Sequence, residues 1–186
     1  MHNGDWMQTA SGRMFWPLDP RADEIFLEDI AAALSKQCRF AGHCTTFYSV
    51  AEHSVHVHDI AQRCGANETM RRAALLHDAA EAYVVDVPRP LKPFLAGYAE
   101  IEHRIESCVE ERFGLAPGSI RHGAIKHWDN VALSTERRDI MLPAPKPWHQ
   151  LPDPMATRII GWEPDFARDA FLGRCFTLGM TKQQGT

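Results

Sequence analysis

The sequence predicts an all-α fold, on three observations. Apolar residues recur with a helical period through most of the chain, helix-start signals precede those runs, and only one short segment reads as a pair of strands. The 186-residue length makes a single domain, residues 1–186, the expectation. With 45% hydrophobic and 24% charged residues, the composition suits a packed globule rather than a disordered or fibrous chain. No internal repeat or low-complexity run divides it.

The segment from Trp6 to Trp16 centres on Ser11-Gly12 and predicts a short N-terminal β-hairpin, ended by Pro17 and Pro20. From Asp23 to Cys38, Ile25, Ile30, Ala33 and Leu34 recur at helical spacing opposite Glu28 and Asp29, which predicts a first helix. Ser49 and Glu52 form a capping-box pattern opening a second helix, Val50 to Cys64, with His53, Val57, Ile60 and Cys64 on one face. Asn67 is placed to cap a third helix whose stripe is Met70, Ala73, Ala74, His77 and Glu81, stopped before Pro88 and Pro90. Further helices are expected at Tyr98 to Phe113, at Ser119 to Met141 and at Pro164 to Met180, a bundle of about six to seven in all. The Pro-rich stretch from Pro143 to Pro154 reads as a loop, because too little chain follows it to fold alone. The core is therefore expected at residues 23–142, with residues 143–186 packing on it.

Lys plus Arg total 20 against 24 Asp plus Glu, a net charge of -4, which argues against a nucleic-acid polymer as partner but not against one small phosphorylated ligand. The start has no basic region followed by an apolar stretch, and no segment approaches the length of a membrane span, so a cytoplasmic protein with no membrane partner is expected. Cysteines at 38, 44, 64, 108 and 175 are odd in number and include no C-x-x-C pair; they read as free thiols of a reducing compartment.

Ten histidines need an explanation in so ordinary a composition. The dipeptide His-Asp occurs as His58-Asp59 and His77-Asp78, and composition alone would supply roughly 0.65 copies, so its presence proves little. Geometry separates the two. On one helix His53 and His58 point about 140° apart and cannot close on one ion, whereas His77-Asp78 lies on a different apolar stripe that can face His53 across a core. Asp129, on the helix Ser119 to Met141, can add a carboxylate from a third wall. Two imidazoles and two carboxylates suit one divalent first-row metal with coordination positions left for water or substrate.

The order His53, His77-Asp78, Asp129 resembles the H…HD…D signature of the HD-domain metal-dependent phosphohydrolases. The likeness extends to Cys38-Arg39-Phe40-Ala41-Gly42-His43, Phe47-Tyr48-Ser49-Val50-Ala51-Glu52-His53, Leu76-His77-Asp78-Ala79-Ala80-Glu81-Ala82-Tyr83, Asp86-Val87-Pro88-Arg89-Pro90-Leu91-Lys92 and Ser134-Thr135-Glu136-Arg137-Arg138-Asp139. In this extended form, over residues 6–142, it is similar to the phage and prophage-type HD hydrolases related to bacterial 5'-deoxyribonucleotidases.

That resemblance implies an HD-domain helical bundle in which His53, His77, Asp78 and Asp129 hold one divalent ion (Mn, Co, Ni, Zn, Fe or Mg). It implies Glu81 and Asp78 as catalytic residues, with Glu81 orienting water or protonating the leaving 5'-oxygen. Arg39 and Lys92 match phosphate contacts, and Asp86 an acid that meets the sugar 3'-hydroxyl. Phe40 departs from the tryptophan typical of characterised deoxyribonucleotidases, keeping an aromatic face but losing the indole N–H. His43 fits the phage-type subgroup, as a phosphate contact or a stabiliser of its turn. Glu136 lies two turns beyond Asp129, as part of an ion-paired helix end or as a support for the metal ligands. The remaining histidines, among them His56, His58, His103, His122 and His127, are not needed by a single-metal site. The expected partner is a small nucleotide, the expected assembly a homodimer, and the expected reaction release of phosphate from a deoxynucleoside 5'-monophosphate. Release of triphosphate from a deoxynucleoside triphosphate, and nucleotide binding without turnover, are the alternatives.

Overall fold

The computed structural model describes residues 2–181. Its first element is the expected hairpin, strands β1 (Met7–Gln8) and β2 (Met14–Phe15), antiparallel with Met7 opposite Phe15. The buried Asp29 carboxylate ties its tip to the body, accepting from the Ser11 N–H at 2.6 Å and the Ser11 hydroxyl at 2.9 Å. Among the described residues seven α-helices follow: α1 (Leu27–Leu34), α2 (Val50–Arg63), α3 (Glu68–Leu75), α4 (Glu81–Val84), α5 (Tyr98–Arg112), α6 (Gly123–Asp139) and α7 (Pro164–Thr177). Among the described residues none is long and apolar enough to cross a membrane.

Helix α2 lies against α3, α6 and α7, while α1 packs on α4 and α7. Ile30 and Leu34 of α1, Val55 and Val57 of α2, Leu75 of α3, Ala132 of α6 and Phe171 and Cys175 of α7 meet in the main core and are fully buried. Burying a side chain such as Phe171 contributes about 1.5–3 kcal/mol, so α7 is part of the core rather than an appendage.

Three expectations are corrected. The first helix is shorter than Asp23 to Cys38, because Ile25 is extended, and only a 3-10 turn at Ala22–Glu24 precedes α1. Ser49 does cap α2 by accepting from the Glu52 N–H at 3.1 Å, but Glu52 does not reach back to complete the box; its Oε2 accepts the Trp162 N–H at 2.8 Å instead. The third helix does not run from Asn67 through Glu81. Asn67 caps α3 as expected, but α3 ends at Leu75 and tight turns carry the chain to α4. The reason is local. The Ala74 carbonyl, which a continuous helix would bond to the Asp78 N–H, lies 2.9 Å from His77 Nδ1.

Residues 143–163 run back along α6. Arg138 donates to the carbonyls of Met155 and Thr157 at 2.6 and 2.9 Å, and the Asp139 carboxylate accepts the Ile159 N–H at 2.8 Å. Gly161 then passes so close to the loop before α2 that a Cβ would stand 2.5 Å from the Phe47 carbonyl oxygen, at a φ of +80°. The left-handed conformation alone costs about 1–2 kcal/mol for a residue other than glycine. Gly161→Ala is therefore expected to lower the urea midpoint by more than that cost implies, with an unchanged m-value. A midpoint equal to that of the native chain would show the crossing to be loose.

Candidate metal centre

Four side chains from three segments converge. His53 sits in the first turn of α2, His77 and Asp78 in the turn that ends α3, and Asp129 midway along α6. Donor atoms of His53, His77 and Asp129 all lie within 4.8 Å of one another. Asp78 is not a member of that mutual cluster, but its Oδ2 is 3.5 Å from His53 Nε2 and 3.2 Å from His77 Nε2. Helical spacing could not have placed Glu81 beside His77, since the helix breaks between them; the turn does so instead, and both line one cavity.

The partners of the two imidazoles decide their tautomers. His53 Nδ1 is 2.5 Å from Glu136 Oε1, and His77 Nδ1 is 2.9 Å from the Ala74 carbonyl oxygen. Both oxygens accept, so each neutral ring carries its hydrogen on Nδ1 and leaves a lone pair on Nε2. Those Nε2 atoms are 3.3 Å apart, and Asp129 Oδ1 stands 3.3 Å from that of His53. With both rings neutral, four acceptors meet with no donor hydrogen of their own, an arrangement that fits a cation.

Without an ion, the same acceptors draw a proton onto His53 in the place a cation would take. Burial and the Arg39 charge push the His53 imidazolium down, but the Glu136 and Asp129 carboxylates outweigh both and lift it to about 9. Burial would raise Asp78, yet His77, His53 and Arg39 hold it below the usual carboxylate range; His53, His77 and Lys126 do the same for Asp129. Two imidazole nitrogens with carboxylates favour a first-row transition ion over Mg, which prefers all-oxygen surroundings.

Glu136 organises the back of the centre. Fully buried on α6, it accepts from His53 Nδ1, from the Tyr48 hydroxyl at 3.1 Å and from Arg39 Nη2 at 3.4 Å. Arg39 Nη1 is 3.4 Å from Asp78 Oδ2, so one guanidinium spans both carboxylates. Both contacts are long, and the buried Arg39 Nε has no acceptor, leaving donor capacity. Arg39, Phe40 and Ala41 precede Gly42 in a tight turn in which Phe40, Ala41 and Gly42 all have positive φ (57°, 52° and 80°), a strained path for two non-glycine residues.

The centre opens into a cavity of about 360 Å³ that contains His77, Asp78, Glu81, Lys92, Glu102, Glu106, Arg121, Lys126 and Asp129 in its walls. Lys92 is 3.6 Å from Glu81 Oε1 and 2.8 Å from Glu102 Oε1, while Lys126 is 2.6 Å from Asp129 Oδ2. Burial raises the Glu81 carboxyl well above its ordinary pKa, with the Asp78 and Asp86 charges adding to it, and its buried Oε2 has no partner.

The other expected contacts lie elsewhere. Phe40 does not line the cavity; its ring packs on the cluster of Tyr48, Ile140 and Ile159 beneath the Arg39 guanidinium, 5.5 Å from its centroid. His43 is exposed, and its N–H closes the turn on the Phe40 carbonyl at 3.0 Å. Asp86 is half-buried outside the cavity wall, its N–H bonded to Gln37 Oε1 at 3.2 Å. Sequence reasoning missed Tyr48, Glu102, Arg121 and Lys126. Of these, only Lys126 carries a readable signal, its i to i+3 spacing before Asp129.

No family model matches the chain. It is 40% identical over 143 residues to an uncharacterized protein of Rhodobacter capsulatus, covering 73% of this chain and 72% of that one. It is 38% identical over 172 residues to the uncharacterized protein YfdR of Escherichia coli, covering 91% of this chain and 93% of YfdR. At that identity over nearly the whole of both proteins, the chain belongs to the family of YfdR.

Proposed function

We propose that the chain is an HD-type phosphohydrolase that releases phosphate from deoxynucleoside 5'-monophosphates, with one divalent ion held by His53, His77, Asp78 and Asp129. The observation that carries this reading is the sharing of one cavity by His77, Asp78 and Asp129 of the converging set with Glu81, whose buried Oε2 has no partner and whose carboxyl burial raises well above its ordinary pKa. A bound divalent ion supplies a lowered pKa for water and a charge that polarises a phosphoryl oxygen. The protein's own groups do the rest. Lys92, Lys126 and the spare Arg39 donor hold phosphate oxygens, and Glu81 donates its proton to the leaving 5'-oxygen as the ester bond breaks. Asp86, which does not line the cavity, is assigned to the sugar on the resemblance alone.

Charge supports a monophosphate over a triphosphate. The cavity wall holds five carboxyl groups, of which burial favours the protonated form of Glu81, against the three cations Lys92, Arg121 and Lys126. A divalent ion then leaves the site slightly positive, enough for one phosphate dianion and short of a triphosphate's demand.

The test is reconstitution. Metal-free chain loaded with Mn, Co, Ni, Zn, Fe or Mg and offered deoxynucleoside mono- and triphosphates is expected to release orthophosphate from the monophosphates, with the transition ions above Mg. Triphosphate release would transfer the assignment to the triphosphohydrolase reaction. Absence of turnover with every ion and every nucleotide would leave a binding module.

A further inference from the structure

Cys38 and Cys44 stand at the two ends of the strained turn that carries Arg39, and their sulfurs are 3.6 Å apart, in contact but unbonded. We propose that this pair is a reversible oxidation site whose disulfide pulls the Arg39 turn out of the metal centre. The anchoring of the turn supports the second half. Before it, the Arg39 N–H is bonded to the Tyr48 carbonyl at 2.9 Å and Cys38 bridges Ser49; after it, the Thr45 N–H is bonded to the Ile140 carbonyl at 2.8 Å. With both flanks fixed, the approach of the sulfurs falls on residues 39–43. Three of these already have positive φ, and the two Arg39 contacts to Asp78 and Glu136, both at 3.4 Å, have no slack to follow a shift. Intracellular disulfides are commonly transient and redox-sensing, and a turn under strain at a site's edge is a natural place for one.

A peroxide serves as oxidant. Burial, with the Cys38 sulfur beside it, pushes the Cys44 thiol up to about 11, which leaves Cys38 to make the first attack. Its sulfur takes one peroxide oxygen, the O–O bond breaks, and the other oxygen leaves as water with the thiol proton; Cys38 is now a sulfenic acid. Cys44 Sγ then attacks Cys38 Sγ, the S–S bond forms as the S–O bond breaks, and the hydroxyl leaves as a second water with the Cys44 proton. Two thiols are oxidised by two electrons and one hydrogen peroxide is reduced to two waters.

The sequence makes the product easy to read. Trypsin cuts after Lys36, Arg39 and Arg63, so Cys38 and Cys44 fall on separate peptides, 37–39 and 40–63, joined only by the disulfide. After hydrogen peroxide and thiol alkylation of the unfolded full-length chain, mass spectrometry is expected to find that linked pair, with Cys64, Cys108 and Cys175 alkylated. Arg39 is 9% exposed in the fold. Native-state cleavage by trypsin after Arg39 is therefore expected to be slow in the reduced protein and at least about tenfold faster after oxidation, to slow again with dithiothreitol, and to ignore peroxide in Cys44→Ser. Absence of the linked peptide, or random oxidation of all five cysteines, overturns the site. A linked peptide with unchanged cleavage after Arg39 overturns the displacement. The consequence for phosphate binding rests on the function proposed above, but neither readout does, so the two readings fail separately.

Discussion

Glu136→Ala is expected to destabilise the protein by about 3–5 kcal/mol, the usual loss when one member of a buried ionic group is removed and its partners stay charged. The partners here are Arg39, whose guanidinium loses one of its two carboxylates, and His53, which loses the acceptor at 2.5 Å that fixes its tautomer. Tyr48 loses its hydroxyl partner as well. Because that tautomer leaves the Nε2 lone pair free, the variant is also expected to bind Zn or Mn about 10–100-fold more weakly, the effect common for groups that orient metal ligands. Urea unfolding of metal-free protein and calorimetric metal titration measure the two losses independently. Equal stability of variant and native chain would remove Glu136 from the centre of this network. The acid limb carries a further sign. Burial opposes ionisation of Glu136, but Arg39 and His53 hold its pKa below 4.5 in the fold. A carboxylate lowered on folding contributes stability above its unfolded pKa and loses it as pH falls through the folded one. Glu136→Ala should therefore unfold along a shallower acid limb than the native chain.

The second large effect belongs to Glu81→Gln. If Glu81 is the acid, the variant should lose about 10²–10⁴-fold in turnover while binding metal as the native chain does, since Glu81 is not among the converging acceptors. Equal metal loss would move Glu81 into the ligand set. Its pKa is raised on folding, first by burial and then by Asp78 and Asp86, so the native chain's turnover should fall as pH rises through that value, and the variant should lack this limb. Stability moves oppositely. A carboxyl that keeps its proton in the fold but ionises above about 4.5 when unfolded costs stability as pH rises, and a neutral glutamine does not. Glu81→Gln is thus expected to be at least as stable as the native chain at neutral pH, which separates lost chemistry from lost folding.

Much of this was legible from residues alone, for reasons that differ by element. Ser49 and Asn67 mark helix starts because a side-chain oxygen at that position satisfies a free N–H, and both do so. The approach of His53 to Asp129 accords with helix stripes that face one core, whereas His77 reaches them from the turn after α3 and not from the stripe its spacing predicted. The break of α3 was not legible, since Ala73 to Glu81 contains neither Gly nor Pro and the stop comes from the His77 ring. Arg39 shows a different limit. Its sequence position suggested an anion contact, whereas its placement between Asp78 and Glu136 depends on carboxylates 39 and 97 residues away. Such long-range pairings leave no local pattern.

The ring that stops α3 gives His77 two jobs that cannot be separated by small steps. Were the helix to continue by one turn, the Asp78 N–H would claim the Ala74 carbonyl and the His77 ring would lose the acceptor that keeps its hydrogen on Nδ1. The length of α3 and the readiness of Nε2 to ligate are thus one structural variable. The backbone either stops and offers a lone pair or runs on and withdraws it, so an ion at this centre would act as a local folding constraint on the segment that holds it.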